Sequence, residues 1–190
     1  MKQLKSTLLL SMALLSGQAA ALEFGQVQTN ESTSAFGYTQ MGVPLDGKFN
    51  KFAAQLRFDP SKLNQTQAKI DIDLASIDTG SAEANDEVAG KLWFDTRNHP
   101  TASFVSTGIK SLGGNRYEAS GKLSIKGRTK DVKASVNFQS IGNKGLFDGA
   151  FSIKRLDYAI GEGEWTDIST VANDIQIKFH LVVNAAPSKK

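Results

Sequence analysis

The stretch "VKASVNF", Val132 to Phe138, alternates without a break: Val132, Ala134, Val136 and Phe138 fall on one side, Lys133, Ser135 and Asn137 on the other. Successive side chains of an extended chain point to opposite faces, so the run reads as a β-strand with one dry and one wet face. The same period of two recurs on both sides of it. Upstream, Phe52, Ala54, Leu56 and Phe58 alternate with Ala53, Gln55 and Arg57. Ala68, Ile70, Ile72 and Leu74 alternate with Lys69, Asp71 and Asp73, and Leu123 and Ile125 with Lys122, Ser124 and Lys126. Downstream, Phe147, Gly149, Phe151 and Ile153 share a face. Ile175, Ile177, Phe179, Leu181 and Val183 share the last, opposite Gln176, Lys178 and His180. Strands of this kind build an antiparallel sheet with one side in water.

The punctuation agrees. Asp59-Pro60 ends one strand, and Gly113-Gly114-Asn115, Lys126-Gly127-Arg128 and Gly142-Asn143-Lys144-Gly145 open hairpins. One stretch reads as a helix, roughly 86–92. Asn85 is its cap, Asp86 and Glu87 suit its positive end, and Val88 and Leu92 lie four apart on one face. The count is about eight strands and one short helix. A sheet of that size curls, and closure removes its exposed edges. The expected fold is therefore all-β: an extended eight-stranded antiparallel up-and-down barrel, lipocalin-like, with the helix near its mouth. Eight strands leave an interior that holds one small ligand or is filled by side chains.

The first residues stand apart from this pattern. Lys2 and Lys5 precede a short apolar run, Leu8 to Leu15, and Ala19-Ala20-Ala21 offers a small-residue cleavage site. Residues 1–21 read as a secretory signal peptide, too short in its apolar part to span a bilayer. The barrel is expected over 22–184 and a flexible tail over 185–190. The 190-residue chain carries +3; losing the two leader lysines brings it near neutrality. That balance gives no electrostatic footprint for nucleic acid. No second long apolar run predicts a membrane span. An outer-membrane barrel does not fit, because the wet faces carry Lys, Arg, Asp and Gln, which cannot face lipid. The leader has a bacterial look, which places the protein in the periplasm.

There are no cysteines, which excludes thiol nucleophiles and thiolate metal sites. The two histidines offer little chemistry. His180 is on the wet side of the last strand. His99 precedes Pro100 and is biased to extended backbone, with no nucleophile motif or second ligand near it. Asp71 and Asp73 share an outer face without the glycine loop of a calcium site. Gly161-Glu162-Gly163-Glu164 lacks the lysine of a phosphate loop. No catalytic residue, metal or catalytic cofactor is expected, and the chain reads as a non-enzyme. Its notable resource is apolar: eleven phenylalanines and two tryptophans. Small inward residues, Ala134 and Gly149, would leave room opposite larger ones.

Four stretches occur in order: "LDGKFNKFAAQLRFDP" (45–60), "SIDTGSAEANDEVAGKLWFDTRNHPTASFVST" (76–107), "ASGKLSIKGRTKDVKASVNF" (119–138) and "RLDYAIGEGEWTDISTVANDIQIKF" (155–179). Together they resemble the YceI family of lipocalin-like, polyisoprenoid-binding proteins over nearly the whole mature chain. The "IGEGEW" segment is similar to the branch found beside cytochrome b561-type membrane proteins. The start, "LEFGQVQTNESTSAFGY" (22–38), departs from the family in having neither tryptophan nor histidine.

The resemblance implies a barrel holding a long isoprenoid chain, a polyprenyl or quinone tail, in an apolar lumen, with no catalytic residues. The lumen is then lined by Phe36, Phe49, Phe52, Leu56, Ile70 and Ile72 from the first half. Trp93, Phe94 and Phe104 follow, then Leu123, Ala134, Val136, Phe138, Phe151 and Trp165. Asp86 with Trp93-Phe94-Asp95 matches the family's helix-and-turn motif, which closes the mouth. Arg155 and Asp157 match its late-strand motif, as an ion pair fixing strand ends or as contacts to a polar head group. The implied role is a periplasmic carrier of an isoprenoid lipid; the alternative is an accessory protein docking on a cytochrome b561-type redox partner.

Overall fold

The structure, a computed structural model, describes residues 22–186; the expected signal peptide and residues 187–190 lie outside them. The strands are β1 (Phe24–Val27), β2 (Thr33–Gln40), β3 (Val43–Phe49), β4 (Phe52–Arg57), β5 (Gln67–Asp73), β6 (Ile77–Asp78), β7 (Thr101–Gly113), β8 (Arg116–Ile125), β9 (Arg128–Ile141), β10 (Lys144–Lys154) and β11 (Asp174–Ala185). Every pairing among them is antiparallel. The all-β barrel expectation holds, with eleven strands instead of eight.

The larger number has a local cause: three runs are each broken in two. A 3₁₀ turn at Thr29–Glu31 separates β1 from β2, and both pair with β11. Asn50 and Lys51 separate β3 from β4. A 3₁₀ turn at Leu74–Ser76, capped by the Asp73 side chain accepting from the Ala75 N–H, re-aims the chain so that β5 pairs with β4 but β6 pairs with β3. Period two continues through Leu74, so this break leaves no trace in the alternation.

The sheet runs β4-β5-β7-β8-β9-β10-β11-β2-β3-β6, and its ends meet. Phe24 on β1 exchanges two backbone hydrogen bonds with Phe58 after β4, at 2.8 and 2.9 Å. Lys48 and Phe49 pair with Asp78 and Ile77. Hairpin turns at Met41-Gly42 and Lys126-Gly127 have positive φ at both central residues, the geometry that matches strand twist in two-residue loops.

Two expectations need correction. The helix α1 spans Ala82–Ala89, and its cap is Ser81, whose Oγ accepts from the Ala84 N–H. Asn85 lies inside the helix, and its Oδ1 accepts from the Thr79 N–H and hydroxyl at 2.8 Å. Both residues suit a cap by type; the earlier one wins because Asn85 is recruited to hold the preceding turn. Leu92 falls beyond the helix, which Gly90 ends. Residues 185 and 186 belong with the sheet: Ala185 is part of β11, and the Ala186 N–H donates to Glu23 O.

Candidate functional site

The core forms two clusters. One gathers Phe24, Phe58, Tyr117, Phe138 and Phe147 with Leu181 and Val183. The other gathers Leu74, Trp93, Leu123, Ile125, Ile153, Tyr158, Ile160 and Val171. The lumen between them holds two chambers. The first has a volume of about 200 Å³, is partly open to solvent, and reaches α1 and the 155–171 loop. The second has a volume of about 140 Å³ and ends on Phe58 and Phe147. Ser34, Ile72, Ala102, Leu123, Phe151 and Ile177 line both, so the chambers adjoin at a waist.

An interior this rich in phenylalanine stays hollow because three rings lie in glycine niches of the wall. Phe36 covers Gly47, its register partner on β3. Phe179 covers Gly149, its partner on β10, and Phe104 covers Gly121 on β8. A Cβ at any of the three glycines would sit inside the neighbouring ring. Such aromatic cover over glycine lays the ring along the sheet instead of across the lumen. The room expected opposite Gly149 is therefore occupied by Phe179.

The expected lining is largely brought together. Phe36, Phe49, Trp93, Phe94 and Trp165 line the first chamber; Phe52, Leu56, Ile70, Phe104, Ala134 and Val136 line the second; Ile72, Leu123 and Phe151 line both. Phe138 lines neither. It packs 4.8 Å from both Phe58 and Phe147, ring centre to ring centre, in the aromatic cluster. Asp86 is exposed on α1 and lines neither chamber, while its neighbour Glu87 lines the first. Asp157 is exposed and makes no ion pair with Arg155 among the described residues. Lining residues outside the expected set include Gln40, Val171, Ile175 and Phe179. Ile175 and Phe179 carry the same alternation as the rest; Gln40 and Val171 meet through an isolated bridge that no local pattern signals.

Arg155 itself is fully buried. Its Nε donates to Ala172 O, its Nη1 to Ile160 O and Gly161 O, and its Nη2 to Trp165 O and Val171 O, at 2.7 to 3.2 Å. Guanidinium has five N–H donors, and all five are used. The expected ion pair or head-group contact is thus replaced by a clamp that wraps the 155–172 loop around one cation. Burial lowers the Arg155 pKa from its ordinary value. The same end is tied by Lys126, whose ammonium donates to Lys91 O, Ala159 O and the Glu162 carboxylate at 2.8 to 2.9 Å. That contact holds the Glu162 carboxyl below the usual range. Burial, with the Asp157 charge adding to it, pushes the Tyr158 phenol up to about 12.

Trp93 and Trp165 meet here with ring centroids 5.3 Å apart, and Arg155 Cζ lies 5.5 Å from the Trp93 ring centre. Both indole N–H groups are buried without a hydrogen-bond partner. Nothing local in the sequence signals this, because it depends on what neighbouring loops fail to supply. His99 lines neither chamber, and His180 pairs on the outer face with Asp148 at 2.7 Å. Asp71, on that outer side too, is held low by Lys69 and the Ser103 hydroxyl. Among the described residues no three His, Asp or Glu side chains gather where a metal ion would bind, and no helix is long and apolar enough to cross a membrane.

A curled antiparallel sheet around an apolar lumen defines a lipocalin-like barrel. The family model for the YceI-like domain matches residues 26–183, and the chain belongs to that family. A UPF0312 protein of Azotobacter vinelandii is 31% identical over 173 residues, covering 84% of this chain and 88% of the relative. A UPF0312 protein of Pseudomonas savastanoi is 28% identical over 193 residues, covering 96% and 98%. Among solved structures, BcnA of Burkholderia cenocepacia is 46% identical with a TM-score of 0.81, over 83% of this chain and 99% of that one. A polyisoprenoid binding domain from Saccharophagus degradans, implicated in plant cell wall breakdown, shares the fold at 16% identity, with a TM-score of 0.65 over 87% and 99%.

Proposed function

We propose that this chain is a non-catalytic carrier that holds the tail of an isoprenoid lipid, polyprenyl or quinone, in its lumen, and that it works in the periplasm. The observation that carries the reading is the pair of adjoining apolar chambers kept open by rings laid into glycine niches. Burying apolar chain is worth about 0.8 kcal/mol per methylene, so a long tail is retained without charged contacts. The name of the Saccharophagus relative supports the ligand class, and the leader-like start at Lys2 to Ala21 supports export. The test is organic extraction of mature protein purified from the exported fraction, followed by mass spectrometry. About one isoprenoid lipid per protein is expected; repeated recovery of none would count against the reading.

One observation favours a second reading, an accessory protein docking on a cytochrome b561-type membrane partner. At the rim of the first chamber the β2–β3 turn bonds to the 167–171 loop through Met41 N–H and Thr170 O. There Met41, Val43 and Ile168 are 77%, 56% and 58% exposed, and clustered exposed apolar residues mark interaction surfaces. Crosslinking from Met41 positions in native membranes separates the two: a single protein adduct favours docking, and lipid adducts alone favour the carrier.

A further inference from the structure

Two pieces of chain outside the strands help to wall the first chamber, and they are held very differently. The 155–171 loop is fixed from within by the donors of Arg155 and Lys126. Helix α1 has no such anchor. Ala84, Glu87 and Val88 line the chamber, an i, i+3, i+4 set on one face, yet no residue of the helix is buried. Its hydrogen bonds beyond its own turns are local. Before it, Asn85 Oδ1 accepts from the Thr79 N–H and hydroxyl, and Ser81 Oγ from the Ala84 N–H. After it, Val88 O accepts from the Phe94 N–H, and Ala89 O from the Thr96 N–H and hydroxyl. Among the described residues, no hydrogen bond or ion pair joins the helix to a strand.

A glycine stands at each end of this piece. Gly80 has φ +87°, and nothing lies within 4 Å of the place a Cβ would take; Gly90 ends the helix. Glycine crosses between backbone regions at low steric cost, and a segment with few buried contacts opens at the lowest free energy in a fold. We propose that α1 is a gate, turning on Gly80 and Gly90 to admit a guest to the first chamber and closing over it with the Ala84–Val88 face. The Asn85–Thr79 hydrogen bonds, which span Gly80, are its latch. A guest beneath Ala84 and Val88 gains apolar burial only with the helix down, so loading favours the closed position. This rests on the carrier reading and adds the route of entry.

The chain has no cysteine, so a thiol pair placed across the hinge has no competitor. The Thr79 hydroxyl and Asn85 Oδ1 meet at 2.8 Å, and Thr79→Cys with Asn85→Cys, once oxidised, freezes Gly80 between them. Lipid-free protein is mixed with a fluorescent polyprenol, and uptake and release are followed by stopped flow. The oxidised variant is expected to take up and release the probe about tenfold more slowly than its own reduced form, with the dissociation constant unchanged, because a gate alters rates and not end states. Equal rates in the two forms, or a change in affinity alone, overturn the gate and leave the carrier reading standing. In the lipid-free wild type, the α1 amides are expected to exchange hydrogen about a hundredfold faster than those of β8 and β9, and loading with the probe should slow α1 while leaving β8 and β9 as they were. Equal protection of helix and strands overturns the proposal as well, and this measurement decides if the disulfide does not form. Failure of the wild type to take up the probe removes the carrier reading and the gate with it.

Discussion

At one end of the barrel Phe24, Phe58, Tyr117, Phe138 and Phe147 interlock with ring centroids 4.8 to 6.5 Å apart. At the other, Trp93 and Trp165 lean together over a buried cation with their donors unpaired. The first end is closed by aromatic rings in tilted and edge-to-face contact, each filling space the others leave, with Phe24 and Phe58 also joined through their backbones. The second is closed by hydrogen bonds from Arg155 and Lys126 to loop carbonyls, which fix the loops and spare the rings beneath them for the lumen wall.

Breaking the packed end should cost most. Phe58→Ala is expected to lower unfolding free energy by about 3–5 kcal/mol, the range for large aromatic deletions in cores. Urea unfolding of lipid-free protein measures it. A loss below 1 kcal/mol would mean the aromatic cluster is not a true core. Arg155→Met should cost about 2–4 kcal/mol, because several buried carbonyls lose donors at about 1–3 kcal/mol each and some turn to water. It should also weaken lipid uptake by the folded protein, because the walls around Trp93 and Trp165 lose their clamp. If binding survives Arg155→Met intact, the two ends do not differ in the way described.

The pH dependence sharpens the same contrast. Tyr158 is buried at the clamped end with its pKa raised to about 12, so above pH 10 the unfolded chain gives up this proton before the folded one does. Stability should therefore fall between pH 10 and about 12, by roughly 1.4 kcal/mol per unit, and Tyr158→Phe should remove that part of the slope in chemical-denaturation series. An unchanged slope in the variant would show the phenol to be solvated. The smallest effect belongs to the hollow middle. Ala134→Phe places a ring beside the second chamber; in a filled core that costs about 1–3 kcal/mol. Here lipid-free protein should melt with less than about 1 kcal/mol lost while lipid uptake weakens. Comparison without ligand is essential, since bound lipid raises apparent stability. A loss of several kcal/mol would mean that the chamber is not available space.

Alternation made the walls readable. Ala134, Val136, Ile70, Ile72, Leu56 and Phe151 were assignable to the inner face because period two states which side a residue takes. It does not state how far along the barrel axis the residue lies. Phe138 shares the face of Ala134 and Val136 but sits deeper, in the aromatic cluster. The same limit hid the break at Leu74–Ser76, where the face persists while the partner strand changes. The helix starts at Ser81 and not at Asn85, though both are good caps by type, because Asn85 is engaged by the Thr79 N–H and hydroxyl. The resemblance points Arg155 to an ion pair with Asp157 or to a polar head group. Its real partners are carbonyls from residues 160 to 172, brought around it only by the folded loop.

The glycine niches carry a consequence for how members of this family can diverge. Gly47, Gly121 and Gly149 belong to the wall and are covered by Phe36, Phe104 and Phe179, so a guest never touches them. Giving any one of them a side chain evicts its ring into the lumen and shortens the space, with every lining residue unchanged. Guest length can therefore drift through substitutions that a comparison of binding surfaces would overlook. Two relatives with matching interiors but different niches would have lumens of different length.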